Sequence, residues 1–136
     1  MYKHILVPIA LDHNHEHARA LKLAERLLSP DGRLTLLHVL EEIPAYVSTQ
    51  LPVELMVEGE AAVAISMKKI AAELKIPVDA KVIHGPPGAT IVDVAEKSDI
   101  DCIVMRSHRP DLADYLLGST AARVVRHAMC SVHVIR

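Results

Sequence analysis

The sequence predicts an α/β fold, a three-layer, doubly wound parallel sheet of five strands covered by four helices. Three observations predict it. Short apolar runs of strand length alternate with longer segments of helical period, in the order β-α-β-α-β-α-β-α-β. The strand runs are almost continuously apolar, as strands buried on both faces must be. The chain has 136 residues, 51% of them hydrophobic, which suits one ordinary domain spanning residues 1–136 and leaves no room for two.

Ile5-Leu6-Val7-Pro8-Ile9 is the first strand. Residues 16–28 then place Ala18, Leu21, Ala24, Leu27 and Leu28 at helical spacing. Ser29-Pro30-Asp31-Gly32 carries strong turn chemistry, and Leu34 to Leu40 follow as the second strand. The stretch holding Pro44 and Pro52 reads as loop. Val63, Met67, Ile70 and Leu74 mark one face of a long helix that Ile76-Pro77 ends. Asp79 to His84 are the third strand, and Gly85-Pro86-Pro87-Gly88 is a loop before a third helix bearing Ile91, Val94 and Ala95. Cys102-Ile103-Val104-Met105 is the fourth strand. Residues 119–128 form the fourth helix through Ala121, Val124, Val125 and Ala128, and Ser131 to Ile135 are the fifth strand. Crossovers in such a sheet are right-handed. Ligands bind outside the carboxyl ends of the strands, so the loops after strands one, two and four should form the site.

Composition narrows the function. Fifteen Lys+Arg against seventeen Asp+Glu give a formal charge of −2, without the basic excess that non-specific nucleic-acid binding needs. The chain has no Phe, no Trp and three Tyr, which argues strongly against base-stacking platforms of the single-strand-binding kind. No window of about 18 uncharged apolar residues offers a membrane span, and the opening apolar run is too short for a signal peptide. Cys102 and Cys130 read as buried free thiols. A cytoplasmic protein is the expectation.

The chemistry concentrates after the fourth strand, in Arg106-Ser107-His108-Arg109-Pro110 and onward to Leu117-Gly118-Ser119-Thr120. Gly118 lets backbone approach a ligand, and Ser119 is placed to cap the helix. The free N–H groups of Ser119, Thr120 and Ala121, with the positive end of the helix dipole, form an anion site to which Arg106, His108 and Arg109 add donors. A phosphate is the natural ligand. The plainer alternative is a capped helix beside solvated arginines.

These segments together resemble the universal stress protein family over essentially the whole chain. The resemblance rests on Ile5-Leu6-Val7-Pro8-Ile9, His38-Val39, Gly85-Pro86-Pro87, Asp101-Cys102-Ile103-Val104-Met105, Leu116-Leu117-Gly118-Ser119, Arg126-His127-Ala128 and the closing Cys130 to Arg136. It implies strand order 3-2-1-4-5, the Rossmann-like, adenine nucleotide alpha hydrolase-like arrangement, and a homodimer. The family's ATP-binding branch carries G-x2-G-x9-G-[ST]. Here Arg106 and Arg109 stand at the two glycine positions, and eight residues separate Arg109 from Gly118. That version is similar to the F/G-type small stress proteins, a subgroup associated with nucleotide binding despite the altered loop. Where most members carry Asp after the Pro-Ile pair, this chain has Ala10, with Asp12 two residues on.

The resemblance implies an ATP or other adenine nucleotide site, with or without Mg²⁺. Pro8, Ile9 and Val39 would flank adenine, partly by backbone hydrogen bonds, and Asp12 would reach the ribose or cap the first helix. Ser107, His108 and Arg109 would line the phosphates, with Gly118, Ser119 and Thr120 cradling them. Met105 joins this set at the strand end and also reads, with Met56, Met67 and Met129, as core filler. Adenine would rest on aliphatic groups and backbone. The implied role is a nucleotide-responsive regulator of the stress response with a protein partner of unknown identity. The alternative is a stress protein acting only through protein contacts, and a slow ATPase or self-phosphorylating protein is the third reading.

Other candidates are bland. His13 and His17, four apart beside His15, would share a helix face, but no zinc pattern completes them and no metal site is expected. His38, His84 and His133 read as hydrogen-bonded strand-end residues, and His127 suits a helix C-terminus. No acid is spaced to orient His108 and no P-loop lysine is present, so a dedicated enzyme is not expected. The last strand alternates apolar and polar residues and has no following helix. Its edge, residues 131–136, should pair antiparallel with its own copy.

Overall fold

In the computed structural model, which describes residues 1–11, 17–107 and 117–136, β1 (Tyr2–Pro8) lies at the centre of a five-stranded sheet. The sheet order is β3-β2-β1-β4-β5, and every neighbouring pair is parallel. The other strands are β2 (Leu28–Leu40), β3 (Val78–His84), β4 (Cys102–Arg106) and β5 (Ser131–Ile135). The helices are α1 (His17–Leu27), α2 (Ala45–Ser48), α3 (Val53–Ala72), α4 (Pro87–Lys97) and α5 (Ser119–His127). None of the described helices is long and apolar enough to cross a membrane.

Strand alternation divides the core. Ile5, Val7 and Ile9, with Leu34, Leu36, Cys102 and Val104, face Ala20, Leu21 and Ala24 of α1 and Met67 of α3. Leu6, Leu37, Ile103 and Met105 face the other way, against Ile91, Val94 and Ala95 of α4 and Ala121 and Val124 of α5. The central strands are therefore covered on both sides, and their apolar runs follow from that.

The structure corrects several boundaries. β2 begins at Leu28, not Leu34. Tyr2 stands opposite Leu28 and His4 opposite Arg33, so two steps of β1 span five of β2. Ser29 to Gly32 keep their turn chemistry, with the Ser29 hydroxyl donating to the Asp31 carboxylate at 3.0 Å, but as a bulge inside a paired strand. The fourth helix of the sequence reading becomes the fifth, because the Pro44–Pro52 stretch contains α2 and runs straight into α3. Both prolines precede helices as extended residues whose carbonyls accept the first helical bonds, Ser48 N to Pro44 at 3.0 Å and Leu55 N to Pro52 at 3.1 Å. Pro86 does the same for Thr90 at 3.0 Å, so Pro87 and Gly88 lie inside α4 rather than in the preceding loop. Ser119 does not cap α5; Gly118 holds that position and no side chain caps it. Met67 and Met105 fill core, whereas Met129 is 92% exposed, because it lies in the turn between α5 and the edge strand. Cys102 is buried and Cys130 only half-buried.

Candidate functional site

The sheet order creates one reversal point. From β1 the chain winds outward through β2 and β3, then α4 carries it back across the sheet to β4 on the far side of β1. The carboxyl ends of β1 and β4 thus diverge in connection while lying side by side, which is where such sheets leave a crevice.

Hydrogen bonds hold the rim of that crevice. Ile9 is 3% exposed; its N–H donates to the Leu37 carbonyl at 2.8 Å, and its carbonyl accepts from His38 Nδ1 at 2.8 Å. A carbonyl can only accept, so His38 carries its proton on Nδ1. Both backbone groups of Ile9 are engaged within the sheet, so Ile9 shapes the floor. Pro8 is half-buried beside it, level with Leu37, and Val39 is half-buried level with Ile83. Gly85 N–H closes the ends of β2 and β3 by donating to Leu40 at 3.0 Å.

On the other side Ser107, 1% exposed, links three elements. Its N–H donates to Ile135 of β5 at 2.8 Å, and its carbonyl accepts from Gly118 N–H at 2.6 Å. This second bond places the start of α5 against the end of β4. Ala122 N–H donates to Gly118 at 2.9 Å, the first bond of the helix. The N–H groups of Ser119, Thr120 and Ala121 precede that bond and so have no partner inside α5. Ser119 is exposed and Thr120 half-buried. Three like-directed N–H groups, two hydroxyls and the helix dipole at this place suit an anion.

The structure therefore brings Pro8, Ile9, Val39, Ser107, Gly118, Ser119 and Thr120 to one end of the sheet. Met105, 5% exposed, packs beneath them in the core on the α4 and α5 side. Asp12, His108 and Arg109 lie outside the described residues, as do His13 and His15. Arg106 ends β4 half-buried, level with Ile135 and already engaged in an interaction. His84 is exposed, with its Nε2 2.9 Å from the Glu60 carboxylate.

Perturbed titrations sit away from this rim, toward the strand starts. Asp101 clasps β1 there, its carboxylate accepting from Lys3 N–H at 2.8 Å and His4 N–H at 3.0 Å. His4, which the sequence reading passed over, is buried with Nε2 at 2.7 Å from the Thr35 hydroxyl. Burial, then the Arg33 charge, lowers its pKa. Burial pushes the Cys102 thiol up to about 11. The signal for His4 was its position: it precedes an apolar strand and shares the inward parity of Leu6.

Comparison with known proteins agrees with this architecture. The universal stress protein family profile matches residues 1–136. The chain is 33% identical to universal stress protein A homolog 2 of Coxiella burnetii over 99% of its own length and 95% of the relative's. It is 28% identical to universal stress protein G of Salmonella typhimurium, with both chains fully covered. Among solved structures, hypothetical protein MJ0577 superposes with a TM-score of 0.82 at 29% identity, covering 99% of this chain and 96% of that one. Universal stress protein UspA from Lactobacillus plantarum does so with a TM-score of 0.71 at 28% identity, covering 99% and 98%. A family profile that spans the chain, together with a relative one-third identical over nearly its whole length, means that the chain belongs to the universal stress protein family.

Proposed function

We propose that the chain binds ATP or a related adenine nucleotide in the crevice between β1 and β4, as a cytoplasmic homodimer whose occupancy regulates a stress-response partner. The observation that carries the reading is the bond from Gly118 N–H to the Ser107 carbonyl, which sets the uncapped start of α5 at the end of β4. Phosphates would meet the N–H groups of Ser119 to Ala121 and the two hydroxyls, while adenine lies against Pro8 and Val39. Ser107 is buried and fixes this arrangement more than it offers an open hydroxyl. These donors fit an anionic phosphate chain, with or without Mg²⁺. Three proteins of this fold were solved with cAMP, dAMP and AMP, at 16%, 21% and 19% identity to this chain. At that distance the likeness speaks for the fold, and the reading rests on the site.

Gly118 offers a clean test. Its φ of −62° and ψ of 157° are open to any residue, so valine there strains no backbone. Its branched side chain would instead stand where phosphate oxygens approach. Gly118→Val should lose ATP binding in equilibrium dialysis while keeping its melting temperature within a few degrees. Unchanged ATP affinity in that variant would sink the mapping.

A second reading, action through protein contacts alone, is favoured by Ala10 and by Arg106 at the first glycine position of the ATP-binding motif. Denaturing the purified protein and assaying the supernatant for nucleotide separates the two. Hydrolysis, the third reading, would show as ATP turnover well above that of the Gly118 variant.

A further inference from the structure

α3 is apolar around most of its circumference, yet among its 20 residues Met67 alone is fully buried. A helix of that composition is ordinarily enclosed. Here its first half stands proud of the sheet, with Val53 69%, Leu55 56% and Val57 60% exposed, and Tyr46 of α2 adds to the patch at 74%. Between α2, the preceding loop and α3 lies a cavity of about 680 Å³, lined by Leu40, Ile43, Leu51, Leu55 and Met56. Apolar surface of this extent, rimmed by polar residues, marks an interaction site.

The rim is one-signed. From Leu34 to Met67 the chain contains no lysine or arginine, but it contains Glu41, Glu42, Glu54, Glu58 and Glu60. Glu41, Glu42 and Glu60 line the cavity itself. His84, the basic group on its wall, is paired with Glu60 at 2.9 Å. Acidic surface around an apolar floor repels anionic lipid and attracts cations that carry apolar groups. The exposed apolar positions continue past the cavity along α3, so a single small molecule would leave much of the patch bare, whereas a helix laid in the groove would cover it.

We propose that the groove between α2 and α3 docks a cationic amphipathic segment of a partner protein, apolar on one face and rich in lysine or arginine on the other. The surface lies at the ends of β2 and β3, and the inference stands independently of nucleotide binding at β4 and α5.

The test uses the full chain and a labelled 18-residue peptide of leucine and lysine with leucine at helical spacing, read by fluorescence anisotropy. Its control is a peptide of the same composition scrambled to have no apolar face. The intact protein should bind the amphipathic peptide at least tenfold more tightly than the scramble. Glu41→Lys with Glu42→Lys, and separately Leu55→Asp, should each weaken binding tenfold or more, while Glu96→Lys on α4 leaves it unchanged. Peptide should also slow amide hydrogen exchange in α3 of the unmodified protein, a readout that stands should a variant misfold. Equal binding of the scramble, or equal binding by the groove variants and the parent, overturns the proposal. So does self-association of the unmodified protein that Leu55→Asp abolishes, which would assign the groove to a second copy.

Discussion

Two histidines fasten neighbouring strands at opposite ends of the sheet, and only one of them is buried. His38 donates to the Ile9 carbonyl at 2.8 Å and holds the rim of the crevice. His4 meets Thr35 at 2.7 Å within the layer beneath α4. Burial and the charges of Arg33 and Lys81 disfavour its protonation, against the pull of Asp101 and the Ser98 backbone. Its folded pKa therefore lies below the unfolded value of about 6.5. Below about pH 6.5 the unfolded chain takes up a proton that the fold resists, so stability is full above that pH and falls as the pH drops. Thermal melts between pH 7.5 and 5 should show this loss, and His4→Gln should flatten it whatever its effect at pH 7.5. A parallel pH profile in the variant would remove His4 as the cause. Position in a strand marked His38 as a hydrogen-bonded residue and His4 as inward-facing, but neither partner was legible, because Thr35 lies thirty-one residues from His4 and Ile9 twenty-nine from His38 in the chain.

At the scale of elements, periodic apolar spacing located α1, α4, α5 and the second half of α3, because a helix packed on a sheet must repeat its buried face. Prolines misled. Pro44 and Pro52 have the same extended backbone that a loop would show, and only the carbonyl bonds they accept identify them as helix starts. The turn from β3 into α4 shows where a glycine is required. Gly85 has φ of 152°, and a Cβ there would lie 2.5 Å from the Thr90 hydroxyl oxygen. Gly85→Ala should cost about 1–3 kcal/mol through backbone strain and displacement of the buried Thr90 side chain. Urea unfolding of the variant measures it, and an unchanged midpoint would show that the turn relaxes freely. Gly88 serves packing instead: a Cβ there would approach Arg123 Cδ to 2.8 Å, so α4 and α5 meet closely over the glycine.

At the scale of the molecule, β5 is the edge strand of the sheet, with no strand paired to its outer side among the described residues and with Ser131 and His133 exposed. Met129 at 92% and Val125 at 48% exposure add apolar surface next to it. An edge of this kind invites antiparallel pairing with a second copy. Deleting residues 131–136 would be a poor test, because Ile135 is buried and its carbonyl anchors Ser107. Met129→Asp combined with Val125→Asp spares that anchor. Sedimentation velocity should show a dimer for the parent and a monomer for the double variant. A parent that sediments as a monomer at tens of micromolar would refute the edge pairing.

The sequence by itself determined the strand runs, most helices and the alternation that makes a doubly wound sheet, since each follows from local spacing of apolar residues. It also singled out Gly118 to Thr120 as a candidate anion site and matched the family across the chain. Only the tertiary structure decided that Gly118, not Ser119, stands at the helix cap, that both backbone groups of Ile9 are committed within the sheet, and that α3 carries its apolar residues uncovered. Local spacing specifies which face of an element is apolar. Whether anything covers that face, and which backbone groups remain to meet a ligand, depends on partners brought in from distant parts of the chain.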